Sequence, residues 1–72
     1  MSDPLQVLIV DDERLARNAV RSALDAVMGV AVTGEAASVD AAAEQIRAAA
    51  PDVVLLDVQM RGEKGFDLLD QI

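Results

Sequence analysis

Three aspartates stand where two apolar runs of the chain come to an end. Asp11 and Asp12 directly follow the run Leu5–Val10, and Asp57 is set inside a second run at residues 53–58. In doubly wound parallel sheets, functional groups gather at the carboxyl ends of the strands, next to the point where the strand order reverses. If the first and third strands are neighbours, the three carboxylates therefore converge on one spot.

Carboxylates that converge in this way repel one another unless a cation lies between them. Mg²⁺ suits such a place because it prefers oxygen ligands in near-octahedral geometry, typically one or two carboxylates together with waters and a substrate phosphate. A carboxylate beside the ion, here Asp57, can attack a phosphoryl donor and become an aspartyl phosphate. Phosphoryl transfer requires mainly positioning and charge neutralisation, which an acid pair, a metal and one in-line carboxylate supply.

The same acidic residues have simpler explanations. Asp11, Asp12 and Glu13, taken alone, are explained somewhat better as a strand end followed by acids that favour the N-terminus of a helix. Asp57 fits less well as a mere strand terminator, because an unpaired carboxylate costs free energy when it is buried in an apolar strand. The two features together, at the ends of two strands, are far more specific than either alone.

The hydrophobic pattern that must position these residues alternates between strand and helix three times. It predicts strands at residues 5–10, 30–33 and 53–58, and helices over 15–27, over 39–49 and from 66 onward. We expect Gly34 to lie in a loop, Ser38 to cap the second helix, and Pro51 to end it. This alternation predicts a parallel sheet with right-handed crossovers.

The faces of the first two helices are predicted from the same periodicity. The apolar residues expected to face the core in the first helix are Leu15, Ala16, Ala19, Val20, Ala23, Leu24 and Val27. The charged residues expected on its opposite face are Arg14, Arg17, Arg21 and Asp25. In the second helix the inward residues are Val39, Ala42, Ala43, Ile46 and Ala49.

Composition restricts the function further. The 72 residues are 53 % hydrophobic with one aromatic residue, which is typical of a single small domain with an aliphatic core. Thirteen acidic and six basic residues give a net charge of -7, which argues against nonspecific nucleic-acid binding and fits a cation site, a basic partner or solubility alone. Without cysteine or histidine, disulfides, imidazole catalysis and the usual zinc sites are excluded. No secretory signal or membrane-length apolar run is visible, so we expect a cytoplasmic protein.

The motifs VLIVDDERLAR, VAVTGEAAS, PDVVLLDVQM and GEKGFDLL resemble the receiver domain of two-component response regulators, from residue 5 to residue 72. The resemblance implies a flavodoxin-like α/β fold, a doubly wound parallel sheet. We assign residues 1–72 to the first three of its five β-α units, with strand order 2-1-3. The family's members are signalling modules, and we expect no enzyme activity of the chain itself.

Residue roles follow from the resemblance position by position. It implies Asp57 as the phosphoacceptor, Asp12 as a direct Mg²⁺ ligand and Asp11 as a ligand that acts through water. The backbone carbonyl of Gln59 matches the family's main-chain metal ligand. The resemblance also implies a sensor histidine kinase as partner and a separate output domain, for which the motifs look most like the LytTR DNA-binding class.

Two departures from the family pattern leave other functions open. Met60-Arg61-Gly62 stands where receivers usually have Met-Pro-Gly, which leaves that loop less restricted. The fourth-strand hydroxyl and fifth-strand lysine of the family are not among the 72 residues, and the third strand would be an open apolar edge.

We therefore expect either a piece of a longer protein or a homo-oligomer, formed through the third-strand edge or by exchange of elements. The competing functions are a receiver-shaped interaction module that does not switch and a metal-dependent phosphohydrolase or nucleotide binder. The phosphohydrolase is the weakest, because the first strand leads to Asp-Asp-Glu rather than Asp-x-Asp and no Gly-rich phosphate loop is present.

Overall fold

The computed structural model describes residues 3–57. The elements within this range are, in chain order, β1 (Leu5–Val10), α1 (Arg14–Asp25), β2 (Val30–Ala36), α2 (Val39–Ala49) and β3 (Val53–Leu56). All strand pairs are parallel, and the sheet has the order β2-β1-β3. The predicted α/β fold and the strand order 2-1-3 are confirmed. Of the helices in this range, neither has the length and apolar character that a membrane span requires.

The aliphatic core lies between the sheet and α2. Its buried side chains are Leu8, Val10, Ala36, Val39, Ala42 and Ala43, none of them more than 4 % exposed. The alanines of α2 let the helix approach the strands closely, and Ile46 packs against the edge of the cluster. The predicted inner face of α2 is therefore confirmed except at Ala49, which is exposed.

Both ends of α2 are set by local chemistry. The Ser38 hydroxyl oxygen accepts a hydrogen bond from the Ala41 backbone N–H at 3.1 Å, which confirms the predicted cap. At the other end Ala50 adopts a left-handed conformation, with φ 44° and ψ 64°. Pro51 follows and cannot continue the helix, so the chain leaves α2 at the predicted position.

The placement of α1 corrects the sequence-based prediction. The helix ends at Asp25 rather than at Val27, none of its residues is buried, and Leu15 is 76 % exposed. Arg17 and Arg21, expected on the outer face, instead pair with an acid on β2. That acid accounts for the position of the two arginines, because ion pairs to it hold their side of the helix toward the sheet. The half-buried Ala16, Val20 and Leu24 keep a narrower apolar contact than predicted.

β2 is longer than predicted, and β3 ends earlier than the expected residue 58. β2 continues through Gly34 to Ala36, because its pairing with β1 resumes after a bulge at Thr33. A Cβ at Gly34 would require the Gln45 amide of α2 to move and would press on the Leu8 side chain, so this strand position favours a glycine. Residue 58, the last of the predicted third strand, lies outside the described residues. The same holds for Gln59, the loop at 61–65 and the predicted third helix.

Candidate functional site

Two backbone hydrogen bonds fix the ends of the strands that carry the candidate site. The Asp11 N–H donates to the Ala36 carbonyl at 3.0 Å, and the Asp57 N–H donates to the Val10 carbonyl at 2.9 Å. Each ladder thus continues one residue past its strand. Asp11 leaves the central strand, and Asp57 leaves its neighbour, at the same carboxyl edge of the sheet.

The structure brings the three predicted aspartates together at that edge. One carboxylate oxygen from each of Asp11, Asp12 and Asp57 lies within 4.8 Å of the other two, and all three residues are half-buried. Mg²⁺ bound at about 2.1 Å places neighbouring oxygens roughly 3 Å apart and opposite oxygens roughly 4.2 Å apart. A cluster of hard oxygen donors with this spread therefore fits the ion, with one carboxylate bound through water or drawn in slightly.

Asp11 also shapes the loop that leads into α1. Its Oδ1 accepts a hydrogen bond from the Glu13 backbone N–H at 2.9 Å, which is the turn that aspartate commonly makes with the residue two positions ahead. Glu13 occupies the N-cap position of α1 and makes no side-chain cap of its own. The end of β1, the loop of residues 11–13 (the acidic loop) and the start of α1 are thus joined through one carboxylate.

Glu35 of β2 is the part of this region that sequence reasoning missed. Its carboxylate pairs with Arg17 Nε at 3.1 Å and with Arg21 Nε at 2.7 Å. The hydrogen bond from Arg21 is the main cause that lowers the pKa of Glu35 below its ordinary 4.5, against an opposing effect of burial. The available signal was weak: Arg17 and Arg21 lie one helical turn apart in α1, and Glu35 is a charged residue in the otherwise uncharged β2.

An open groove leads to the carboxylates from the α1 side of the sheet. It has a volume of about 430 Å³ and borders Asp11 and Asp57. Its remaining lining is apolar and consists of Ile9, Val10, Val20, Leu55 and Leu56. The groove therefore sets Asp11 and Asp57 beside an apolar wall.

Comparison with known proteins identifies the family of the chain. The family model of the response regulator receiver domain matches residues 7–72. The chain belongs to the response regulator receiver family. The sensory transduction protein LytT of Bacillus cereus is 41 % identical to this receiver over 64 residues, which cover 89 % of this chain and 26 % of LytT.

Solved structures of response regulators have the same fold as this chain. The crystal structure of the response regulator domain of Thermotoga maritima CheB matches this receiver with a TM-score of 0.89 and 29 % identity, over 96 % of this chain and 52 % of that one. A chain of the Borrelia burgdorferi CheX–CheY–BeF₃–Mg²⁺ complex matches with a TM-score of 0.83 and 25 % identity, over 96 % and 52 %. This receiver thus spans about a quarter of the length of curated relatives such as LytT and about half of these solved chains.

Proposed function

We propose that this receiver accepts a phosphoryl group on Asp57 and holds Mg²⁺ with Asp11, Asp12 and Asp57. The single observation that carries the proposal is the meeting of these three carboxylates within 4.8 Å at the carboxyl edge of β1 and β3. The backbone carbonyl of Gln59 is the further ligand we propose, at a position outside the described residues. Asp12 binds the ion directly in this proposal, and Asp11 binds it through water.

The proposed reaction is a transfer between a phosphohistidine of a sensor histidine kinase and Asp57. A carboxylate oxygen of Asp57 attacks phosphorus, the P–O bond forms as the P–N bond breaks, and the leaving imidazole nitrogen takes up a proton. Mg²⁺, when bound, neutralises charge on the phosphoryl oxygens. The groove beside Asp57 gives the donor its approach. The Borrelia complex, which contains BeF₃ and Mg²⁺, supports this chemistry by likeness of fold.

The output of the signal is a separate part of the proposal. We propose a cytoplasmic regulator whose receiver passes the signal to a DNA-binding output domain of the LytTR class. The 41 % identity to LytT supports that class. The net charge of -7 argues against nucleic-acid binding by the receiver itself, so we propose that the output domain makes any such contact.

Exposed apolar side chains favour a second proposal, self-association of the chain. Within residues 3–57, β3 pairs only with β1, and Leu55 of β3 is 38 % exposed. An apolar strand edge is a template for pairing with another chain. We therefore propose a homo-oligomer formed through the β3 edge or by exchange of elements. Sedimentation should show a mass above that of one chain, and a monomer that unfolds cooperatively would refute association.

The acceptor role is tested with the purified chain, Mg²⁺ and acetyl phosphate, followed by intact mass measurement. We expect a mass gain of one phosphoryl group that is lost in Asp57→Asn. Asp52→Asn is the matched control, because Asp52 flanks the other end of β3, where its carboxylate binds the Gln6 N–H at 2.8 Å. The control should be modified like the wild type. A wild-type chain that gains no phosphoryl group would contradict the acceptor role and favour a receiver-shaped interaction module.

A further inference from the structure

Arg17 connects α1 both to the acidic loop and to β2. Its Nη1 donates to the backbone carbonyl oxygen of Asp11 at 2.7 Å, and its Nε donates to Glu35 at 3.1 Å. The Arg17 side chain is only 14 % exposed. One planar guanidinium therefore bridges the loop and β2 with separate nitrogen atoms, a geometry that suits arginine and not lysine.

Glu35 in turn is held from both faces of the sheet. Its carboxylate also accepts from Arg21 Nε at 2.7 Å, while its backbone carbonyl accepts from Gln45 Nε2 of α2 at 2.7 Å. The acid that orients Arg17 is thus itself anchored to α1 and α2. Arg17 has little freedom to leave the Asp11 carbonyl, because both of its acceptors are fixed by other bonds.

The Asp11 carbonyl is a sensitive point, since it belongs to the peptide unit between Asp11 and Asp12. The orientation of this peptide sets the direction in which the Asp12 side chain leaves the backbone. The other polar atoms of Asp11 are also held, its N–H by Ala36 and its Oδ1 by Glu13. With Arg17 in place, all three polar groups of Asp11 have a fixed partner.

We propose that Arg17 is a positioning residue for the metal site: its bond to the Asp11 carbonyl, locked by Glu35, holds the Asp11–Asp12 peptide so that both carboxylates face Asp57. This inference rests on the proposed Mg²⁺ site. Charge alone would give the opposite effect, since a guanidinium near a cation site repels the cation and its removal would tighten binding. The sign of the change in affinity therefore separates positioning from simple electrostatics.

The test compares Arg17→Ala with Arg21→Ala by titrating Mg²⁺ into each chain and following the backbone amide resonances of the acidic loop. Both variants lose one positive charge and one bond to Glu35, but only Arg17→Ala loses the bond to Asp11. We expect roughly tenfold weaker Mg²⁺ binding for Arg17→Ala, the lower range for loss of an outer-shell partner. Arg21→Ala should bind as tightly as wild type or slightly more tightly.

A second variant and a measurement without metal distinguish the loss of positioning from a simple failure of Arg17→Ala to fold. Arg17→Lys keeps the charge and one donor for Glu35. A single ammonium cannot bridge Glu35 and the Asp11 carbonyl as the planar guanidinium does, so the Mg²⁺ affinity of this variant should also fall. The Asp12 amide resonance should move in metal-free Arg17→Ala and stay in place in Arg21→Ala. If wild type binds Mg²⁺ and Arg17→Ala binds it equally or more tightly, the positioning role is overturned but the metal site is not. Wild type that binds no Mg²⁺ would reject the proposed metal site and this role with it.

Discussion

Near the end of α2, substitution by glycine is predicted to change stability in opposite directions at two alanines, Ala48 and Ala50. Ala50 has φ 44°, and among the described residues other than glycine it is the one with a positive φ. A left-handed conformation costs an L-residue roughly 1–2 kcal/mol, which glycine avoids. Glycine also gains about 0.4–1 kcal/mol of freedom in the unfolded chain. Ala50→Gly should therefore raise the free energy of unfolding by about 0.5–1 kcal/mol.

The matched control is Ala48→Gly, two residues earlier on the exposed side of α2. There the backbone is helical, and glycine should cost about 1 kcal/mol. Urea unfolding followed by circular dichroism measures both, and a small domain has a slope of about 1 kcal/mol per molar urea. The midpoint should rise by roughly 0.5–1 M for Ala50→Gly and fall by about 1 M for Ala48→Gly. A fall of similar size in both variants would show that Ala50 does not hold the left-handed conformation.

Two further predictions concern α2 and the ion pair of β2. Ser38→Ala removes the acceptor for the Ala41 N–H and should cost about 1 kcal/mol in the same urea assay, whereas Ser38→Asp should keep most of it. Because the pKa of Glu35 is lowered in the folded chain, the stability it contributes is present above pH 4.5 and is lost as pH falls through the lower folded pKa. The difference in urea midpoint between wild type and Glu35→Gln should therefore shrink on acidification, and a constant difference would contradict the ion pair.

The elements that the sequence predicts correctly are those with a single dominant cause. β1 is predicted to the residue because it is covered on both faces, so that each position from Val7 to Val10 is apolar and at most 3 % exposed. α2 is bounded by the Ser38 cap and by Pro51, which are local signals. The convergence of Asp11, Asp12 and Asp57 follows in the same way from strand ends that share one edge.

The misplaced elements depend on contacts between residues far apart in the chain. Helical periodicity divides α1 into an apolar and a charged side, but it contains nothing about which charged side chains find a partner on the sheet. Arg17 and Arg21 find Glu35, 18 and 14 residues away. A half-buried ion pair of this kind can outweigh the contact of one exposed leucine, Leu15, because no large apolar face covers that side of α1 in the described residues.

The bulge at Thr33 decides which face of the sheet Glu35 occupies. Val32 pairs with Val7, and Glu35 pairs with Ile9. Side chains alternate along β1, so Val7 and Ile9 share one face, and their partners must share it too. In a regular β2, residues three apart would lie on opposite faces, and Glu35 would pair with Val10 and enter the core.

The extra residue Thr33 shifts the alternation of side chains along β2 by one position, so that Val32 and Glu35 lie on the same face. Ala36 rather than Glu35 then fills the core position, at 4 % exposure, and the Glu35 carboxylate lies on the α1 side. Its bond to Arg17, and through Arg17 the hold on the Asp11 carbonyl, depends on that single inserted residue. Gly34 is the sign of this bulge in the sequence, because a glycine inside a strand often marks a bulge.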